Sequence, residues 1–333
     1  MSAASRALPL SRRRFIAGCA GGAALSCAAP PFVPVTHPDP ARFNACPRQR
    51  TLSILTWNIF MMPEWISESP RNVPRAAAIA ATLLEASASF DILCFQKVFD
   101  SAARDVLEAA LDARYPYRYG PANDSPSLKL NSGVWVLSRY PLTDYQEIEF
   151  DGCSSWECFS RKGALLVSGT CGATPFRLIA THLQGEEGPV YTDKNQAVRD
   201  RQMQQIRDRL ITPHLEPGVP FIICGDFGTP RMADNCGLET ESYREMLATL
   251  GAENGPELRI TLDDSRLDNQ LATSNTGRRN ELDYIFLRRN GFELSAQRTR
   301  HIYRRAGWDT QYHRTDLSYR YAVSAQVTFG AAP

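Results

Sequence analysis

Four short apolar runs in this chain each deliver a polar residue at or near their ends: Thr56-Trp57-Asn58-Ile59-Phe60, Thr181-His182-Leu183-Gln184, Cys224-Gly225-Asp226-Phe227 and Leu282-Asp283-Tyr284. Runs of this length and composition read as buried β-strands. Polar groups at strand ends collect along one rim of a sheet, where a scaffold places a site. Taken singly, each reads equally well as a turn or as a hydrogen-bonded core residue. Taken together, they constrain the fold to one that gathers four strand ends.

The segments between them alternate in character. Asn72 to Ala86 is rich in Ala and Leu and reads as a helix. Ile92 to Phe95 reads as a buried strand, and Ser101 to Ala113 as a second helix capped by Ser101. Further strands are expected over 133–137, 164–168, 176–179, 219–224, 282–287, 297–302 and 321–329. Helices are expected over 193–210 and, capped by Thr240, over 241–250. No repeat and no second composition regime appears. The pattern predicts one α/β domain over residues 51–330, a sandwich of two sheets.

The N-terminus reads differently. Ser11-Arg12-Arg13-Arg14-Phe15-Ile16 precedes a small, apolar run ending near Ala29, the order of parts in a twin-arginine export signal. Residues 1–29 are therefore expected to be a signal cleaved near Ala28 or Ala29, and 30–50 a Pro-rich linker. The expected location is periplasmic or secreted. Of nine cysteines, Cys153 and Cys158 flank a short loop and are the best candidate disulfide. Cys94 and Cys224 lie in apolar runs and read as buried thiols. A net charge of +1 over 333 residues gives no sign of a nucleic-acid binder.

The four runs and several further segments resemble the endonuclease/exonuclease/phosphatase (DNase I-like) superfamily, and within it the bacterial neutral sphingomyelinases. Those segments are Val98-Phe99-Asp100, Gly133-Val134-Trp135-Val136-Leu137-Ser138-Arg139-Tyr140-Pro141 and Arg161-Lys162-Gly163. The resemblance runs from about Leu52 to Val327. It implies the four-layer form of the sandwich and a metal-dependent phosphodiesterase. In that family a Glu and an Asn hold Mg²⁺, and an Asp-x-Asn pair and a His position water and phosphate. A second His serves as base, oriented by the Asp of a Leu-Asp-Tyr. Asn58, His182, Asp226 and Asp283 match the family pattern.

Other positions depart from it. The family's metal-binding Glu is Lys97, and the Asn of the Asp-x-Asn pair is Gly228. The terminal Ser-Asp-His reads Ser318-Tyr319-Arg320, which replaces the base by a guanidinium that keeps its proton. These exchanges add positive charge, remove the main metal carboxylate and imply that no Mg²⁺ is held. Two compensating ion pairs are expected, Lys97 with Asp226 (and hydrogen-bonded to Asn58) and Arg320 with Asp283. His37, His214, His301 and His313 are read as structural or exposed rather than as a replacement base.

The expected function is that of a pseudoenzyme, a monomer that binds a phosphorylated small molecule or a phospholipid head group. A cleft simply closed by its salt bridges is the bland counterpart. The first alternative is a residual phosphodiesterase of the sphingomyelinase or phospholipase C type using His182 and Asp226. The second is a nuclease-like nucleic-acid binder, against which the charge argues. Peripheral membrane contact through Trp308, Tyr303 and Tyr312 is weighed against packing roles, and Trp65 is read as covering the cleft.

Overall fold

The computed structural model describes residues 50–63, 71–86, 90–125, 127–186, 190–233 and 237–330. The expected signal and linker and Trp65 fall outside them. The strands are β1 (Thr51–Met61), β2 (Ile92–Val98), β3 (Tyr117–Tyr119), β4 (Trp135–Ser138), β5 (Thr143–Glu149), β6 (Gly163–Cys171), β7 (Thr174–His182), β8 (Phe221–Asp226), β9 (Leu262–Asp263), β10 (Arg279–Asn280), β11 (Asp283–Arg288), β12 (Leu294–His301) and β13 (Ala322–Phe329). The helices are α1 (Asn72–Glu85), α2 (Ser101–Leu111), α3 (Asp193–Ile206) and α4 (Glu241–Leu250).

Two sheets form. One has six strands in the order β12-β13-β1-β2-β4-β3, and the other five in the order β11-β8-β7-β6-β5. Their facing sides share one core that includes Ile54, Cys94, Val136, Leu165, Leu178, Cys224 and Ile285. A second core joins α1 and α2 to the outer face of the six-stranded sheet through Ile79, Leu83, Phe95, Leu107 and Trp135. A third joins α3 and α4 to the five-stranded sheet through Ile179, Met203, Phe221, Met246 and Phe286. Three cores in sequence define four layers, the architecture expected. Strands buried on both faces have no polar side, which is why β1, β2 and β8 read as near-continuous apolar runs.

The differences from expectation are local. The α2 helix is capped by Asp100, whose carboxylate accepts from Ala103 N at 2.8 Å, so Ser101 is the first helical residue and not the cap. The long helix from Asp193 keeps α geometry to Ile206 and then widens into a π turn over Arg207–Ile211. Strand β5 was not anticipated. It is an edge strand with mostly exposed side chains, so its sequence carries almost no apolar signal. Thr240 caps α4 as expected, accepting from Tyr243 N at 3.1 Å.

Candidate functional site

Register alone assembles half of the site. His182 at the end of β7 pairs with Asp226 at the end of β8, and Asp226 with Asp283 at the start of β11. Three candidate side chains thus lie in a row across neighbouring strands. The other sheet supplies Asn58, whose Nδ2 donates to Asp226 Oδ2 at 2.8 Å and to the Tyr319 hydroxyl at 3.1 Å. These two bonds stitch the sheets together at one end of the sandwich.

Arg320 is fixed through its backbone before its side chain is considered. Its carbonyl accepts from Trp57 Nε1 at 2.9 Å, and its N–H donates to Ser318 Oγ at 3.3 Å. Ser318 in turn donates to the Asn58 carbonyl at 2.6 Å. From this anchored position the guanidinium spans both carboxylates, 3.2 Å from Asp226 and 3.3 Å from Asp283. Burial opposes its charge, but the two aspartates outweigh burial and hold its proton more tightly than in an ordinary arginine. Asp283 moves the other way. Burial and the neighbouring Asp226 raise its pKa to about 7, against the pull of Arg320.

The expected Lys97–Asp226 pair does not form. A guanidinium fork satisfies two carboxylates at once, which a single ammonium does not, and Arg320 takes both. Lys97 instead stands 5.1 Å from the ring centres of Phe60 and Tyr319, with no carboxylate within 4 Å among the described residues. Burial works against its charge. Tyr319, Glu157 and Asp226 outweigh burial and keep it above the usual lysine value. Its placement follows from an irregularity: the β1–β2 register shifts between Asn58 and Met61, and both Phe60 (φ 53°) and Lys97 (φ 57°) adopt left-handed backbone. Such a bulge re-aims side chains at a sheet rim, at a cost of about 1–3 kcal/mol per strained residue.

Two residues of the site were not assigned from sequence. Lys162, just before β6, pairs with Glu157 and donates to His182 Nε2 at 3.0 Å and to the Leu183 carbonyl. Glu157 also accepts from Gly185 N at 2.7 Å. Arg161-Lys162-Gly163 was part of the resemblance, but Glu157 sits in a 3-10 turn, Ser155–Phe159, that has no apolar periodicity to flag it. Burial and the three cations Lys162, Lys97 and Arg320 drive the His182 pKa well below its ordinary value, so the ring is neutral. Since the Lys162 ammonium has only protons to offer, Nε2 is the acceptor and Nδ1 carries the hydrogen. That Nδ1 is buried and has no partner among the described residues.

Gly228 keeps left-handed backbone at φ 62°, and a Cβ there would lie 2.6 Å from the Gln184 carbonyl. The position has no room for a side chain, so it supplies only an N–H, which donates to Asp226 Oδ1 at 3.0 Å. The other described histidines stay out of the site. His301 Nε2 lies 2.7 Å from Ser324 Oγ, and His214 Nδ1 lies 2.8 Å from the Leu210 carbonyl. His313 lines neither chamber of the site, and His37 falls outside the described residues. Trp308 is buried in the α1–α2 core, and Tyr303 packs 5.1 Å from Trp57, while Tyr312 is exposed. Cys153 and Cys158 are disulfide-bonded, and Cys94 and Cys224 are buried thiols.

The assembled cleft, about 330 Å³, is polar and is walled by Lys97, Glu157, His182, Asp226, Tyr319 and Arg320. Among its charged lining residues, Lys97, Arg278 and Arg320 face Glu157, Glu186, Asp226 and Asp264. The positive charge that the substitutions add is therefore met within the cleft by carboxylates, Glu157 among them. A hard divalent cation requires several anionic oxygens with free lone pairs. Here Asp226 accepts from Asn58, Gly228 and Arg320, and Asp283 Oδ2 from Arg320, while the buried Asp283 Oδ1 has no partner among the described residues. Among the described residues no group of three or more metal-ligating side chains is placed to hold an ion. With Arg320 in place, Asp226 and Asp283 leave one unoccupied oxygen between them, fewer than the several a hard divalent cation takes.

Comparison with known proteins agrees with this architecture. Sphingomyelinase C of Leptospira interrogans is 22% identical over 269 residues, 75% of this chain and 46% of that protein. The chain thus spans about half the length of that relative. The structure of sphingomyelinase C from Streptomyces griseocarneus superposes with a TM-score of 0.66 at 25% identity, over 83% of this chain and 99% of that one. A double mutant of beta toxin from Staphylococcus aureus with bound magnesium ions superposes with a TM-score of 0.69 at 20% identity, over 83% and 99%. The family model of the endonuclease/exonuclease/phosphatase family matches residues 55–305, and the chain belongs to that family.

Proposed function

We propose that this protein is an exported, sphingomyelinase-like member of the family that has given up metal-dependent phosphodiester hydrolysis and binds a phosphate-bearing head group instead. One observation carries the reading: the acid–base groups of the cleft face internal cations. Arg320 sits on Asp226 and Asp283, and Lys162 sits on Glu157 and on the acceptor nitrogen of His182. Hydrolysis needs a base with a free lone pair. What the cleft offers outward is donors, namely the Lys97 ammonium and the Tyr319 hydroxyl. Donors of this kind suit phosphoryl oxygens. Export is supported by the twin-arginine segment and by the Cys153–Cys158 disulfide.

A residual phosphodiesterase is the second reading. It is favoured by the retained Asn58–Asp226 pair and opposed by the capped His182. Calorimetry with phosphocholine in EDTA, run beside phosphocholine release from sphingomyelin in Mg²⁺, separates the two. Binding without turnover is expected, with affinity lost in Lys97→Met. Turnover above the level of an Asp226→Ala variant would refute the pseudoenzyme reading.

A further inference from the structure

The polar cleft has an apolar neighbour. A second chamber of about 540 Å³ is lined by Met62, Phe99, Leu130, Trp156 and Phe159, and it shares Lys97, Glu157 and His182 with the polar cleft. Its mouth is held by the disulfide-closed turn Ser155–Phe159. There Trp156 and Phe159 stack at 5.7 Å with an interplanar angle of 25°, and they remain 75% and 54% exposed. Hydrocarbon lining around a few convergent polar groups is the composition of a site for an apolar ligand moiety. Water gains little there and hydrocarbon gains much.

The shared wall says what the apolar moiety must be attached to. Lys97 has no carboxylate within 4 Å among the described residues, and the His182 ring forms the wall beside it. Both belong to both chambers. An anion at this wall would meet the Lys97 ammonium, which has no carboxylate partner among the described residues, while its apolar part would lie directly against Met62, Phe99 and Leu130.

We propose that the apolar chamber is a chain-binding site for a single-chain amphiphile with an anionic, phosphate-type head. The head lies at the Lys97–His182 wall and the chain runs out to Trp156 and Phe159. This rests on the anion-binding reading above and extends it. The chamber's size sets the number of chains. At roughly 30 Å³ for each water-sized group, 540 Å³ takes about 18 methylene-sized groups. On that figure the chamber matches one chain of about ten to fifteen carbons.

The test uses the protein in EDTA with inorganic phosphate and monomeric dodecyl phosphate as calorimetric probes, and sedimentation with phosphatidylcholine vesicles. Dodecyl phosphate is expected to bind at least ~30-fold more tightly than phosphate, about 2 kcal/mol at 1.4 kcal/mol per tenfold. The Trp156→Ser/Phe159→Ser variant, altered only at exposed positions, should lose most of that gain and keep its affinity for phosphate. Equal affinities for the two probes, or a gain untouched by the variant, would overturn the chain site and leave the anion reading standing. Vesicle binding without any gain for the monomeric amphiphile would also overturn it, assigning the aromatic lip to bilayer contact. Failure of both probes to bind would overturn the anion reading and the chain site together.

Discussion

At the residue scale, the decisive group is Arg320. A single guanidinium stands between two buried carboxylates that would otherwise repel each other and lack a counter-charge. Removing one partner of a buried ion pair typically costs about 3–5 kcal/mol, because the remaining charge stays desolvated. Arg320→Ala is therefore expected to lower unfolding stability by about that amount in urea titration. The same variant leaves Asp226, Asp283 and Asn58 facing one another without their internal cation, so added Mg²⁺ should recover part of the loss. Wild-type stability should not respond to Mg²⁺. An Arg320→Ala protein as stable as wild type would show that Asp226 and Asp283 do not depend on the guanidinium.

At the scale of elements, local backbone devices place the site, and these were the hardest to read in advance. The bulge in β1 and the left-handed Phe60 and Lys97 decide that the ammonium lies between two rings rather than on Asp226. Nothing in the residue types announces a register shift. The 3-10 turn carrying Glu157 is equally silent, since five residues have no period to detect. Helix caps are more accessible to sequence reasoning, yet one side chain either way changes the assignment. Asp100, and not Ser101, accepts the first-turn N–H of α2. Asp100→Ala should cost about 1 kcal/mol of stability, whereas Ser101→Ala should be close to neutral. Chemical denaturation of the two variants decides this, and equal losses would contradict the cap.

For the whole molecule, two buried groups act on stability in opposite directions with pH. Asp283 titrates near 7 in the fold, because of burial and Asp226, and near 4 when unfolded. The native state holds the proton more tightly, so its contribution is present at low pH and is lost as pH rises from about 4 through 7. His182 titrates well below its unfolded value of about 6.5. Its contribution is present above about pH 6.5 and is lost as pH falls. In Asp283→Asn only the histidine contribution remains, so the melting temperature should climb more steeply from pH 5 to 7 than in wild type. Parallel profiles for the two proteins would contradict the placement of the Asp283 pKa.

How much of this was legible in the sequence follows the same division. The sandwich was legible because apolar strands ending in Asn58, His182, Asp226 and Asp283 have few ways to share a rim, and the structure brings all four together. Which cation meets which carboxylate was not, because it depends on the reach of Arg320 across two strands and on Lys162 entering from the loop before β6. Strand β5 was missed for the opposite reason, as an exposed edge needs no apolar residues.

On the function proposed above, Arg320 and Lys162 stand in for the family's metal. Calorimetric titration of EDTA-treated protein with Mg²⁺ tests it most directly. No binding heat is predicted for wild type. Stoichiometric Mg²⁺ binding that disappears in Asp226→Asn would contradict the account and return the cleft to metal-dependent chemistry.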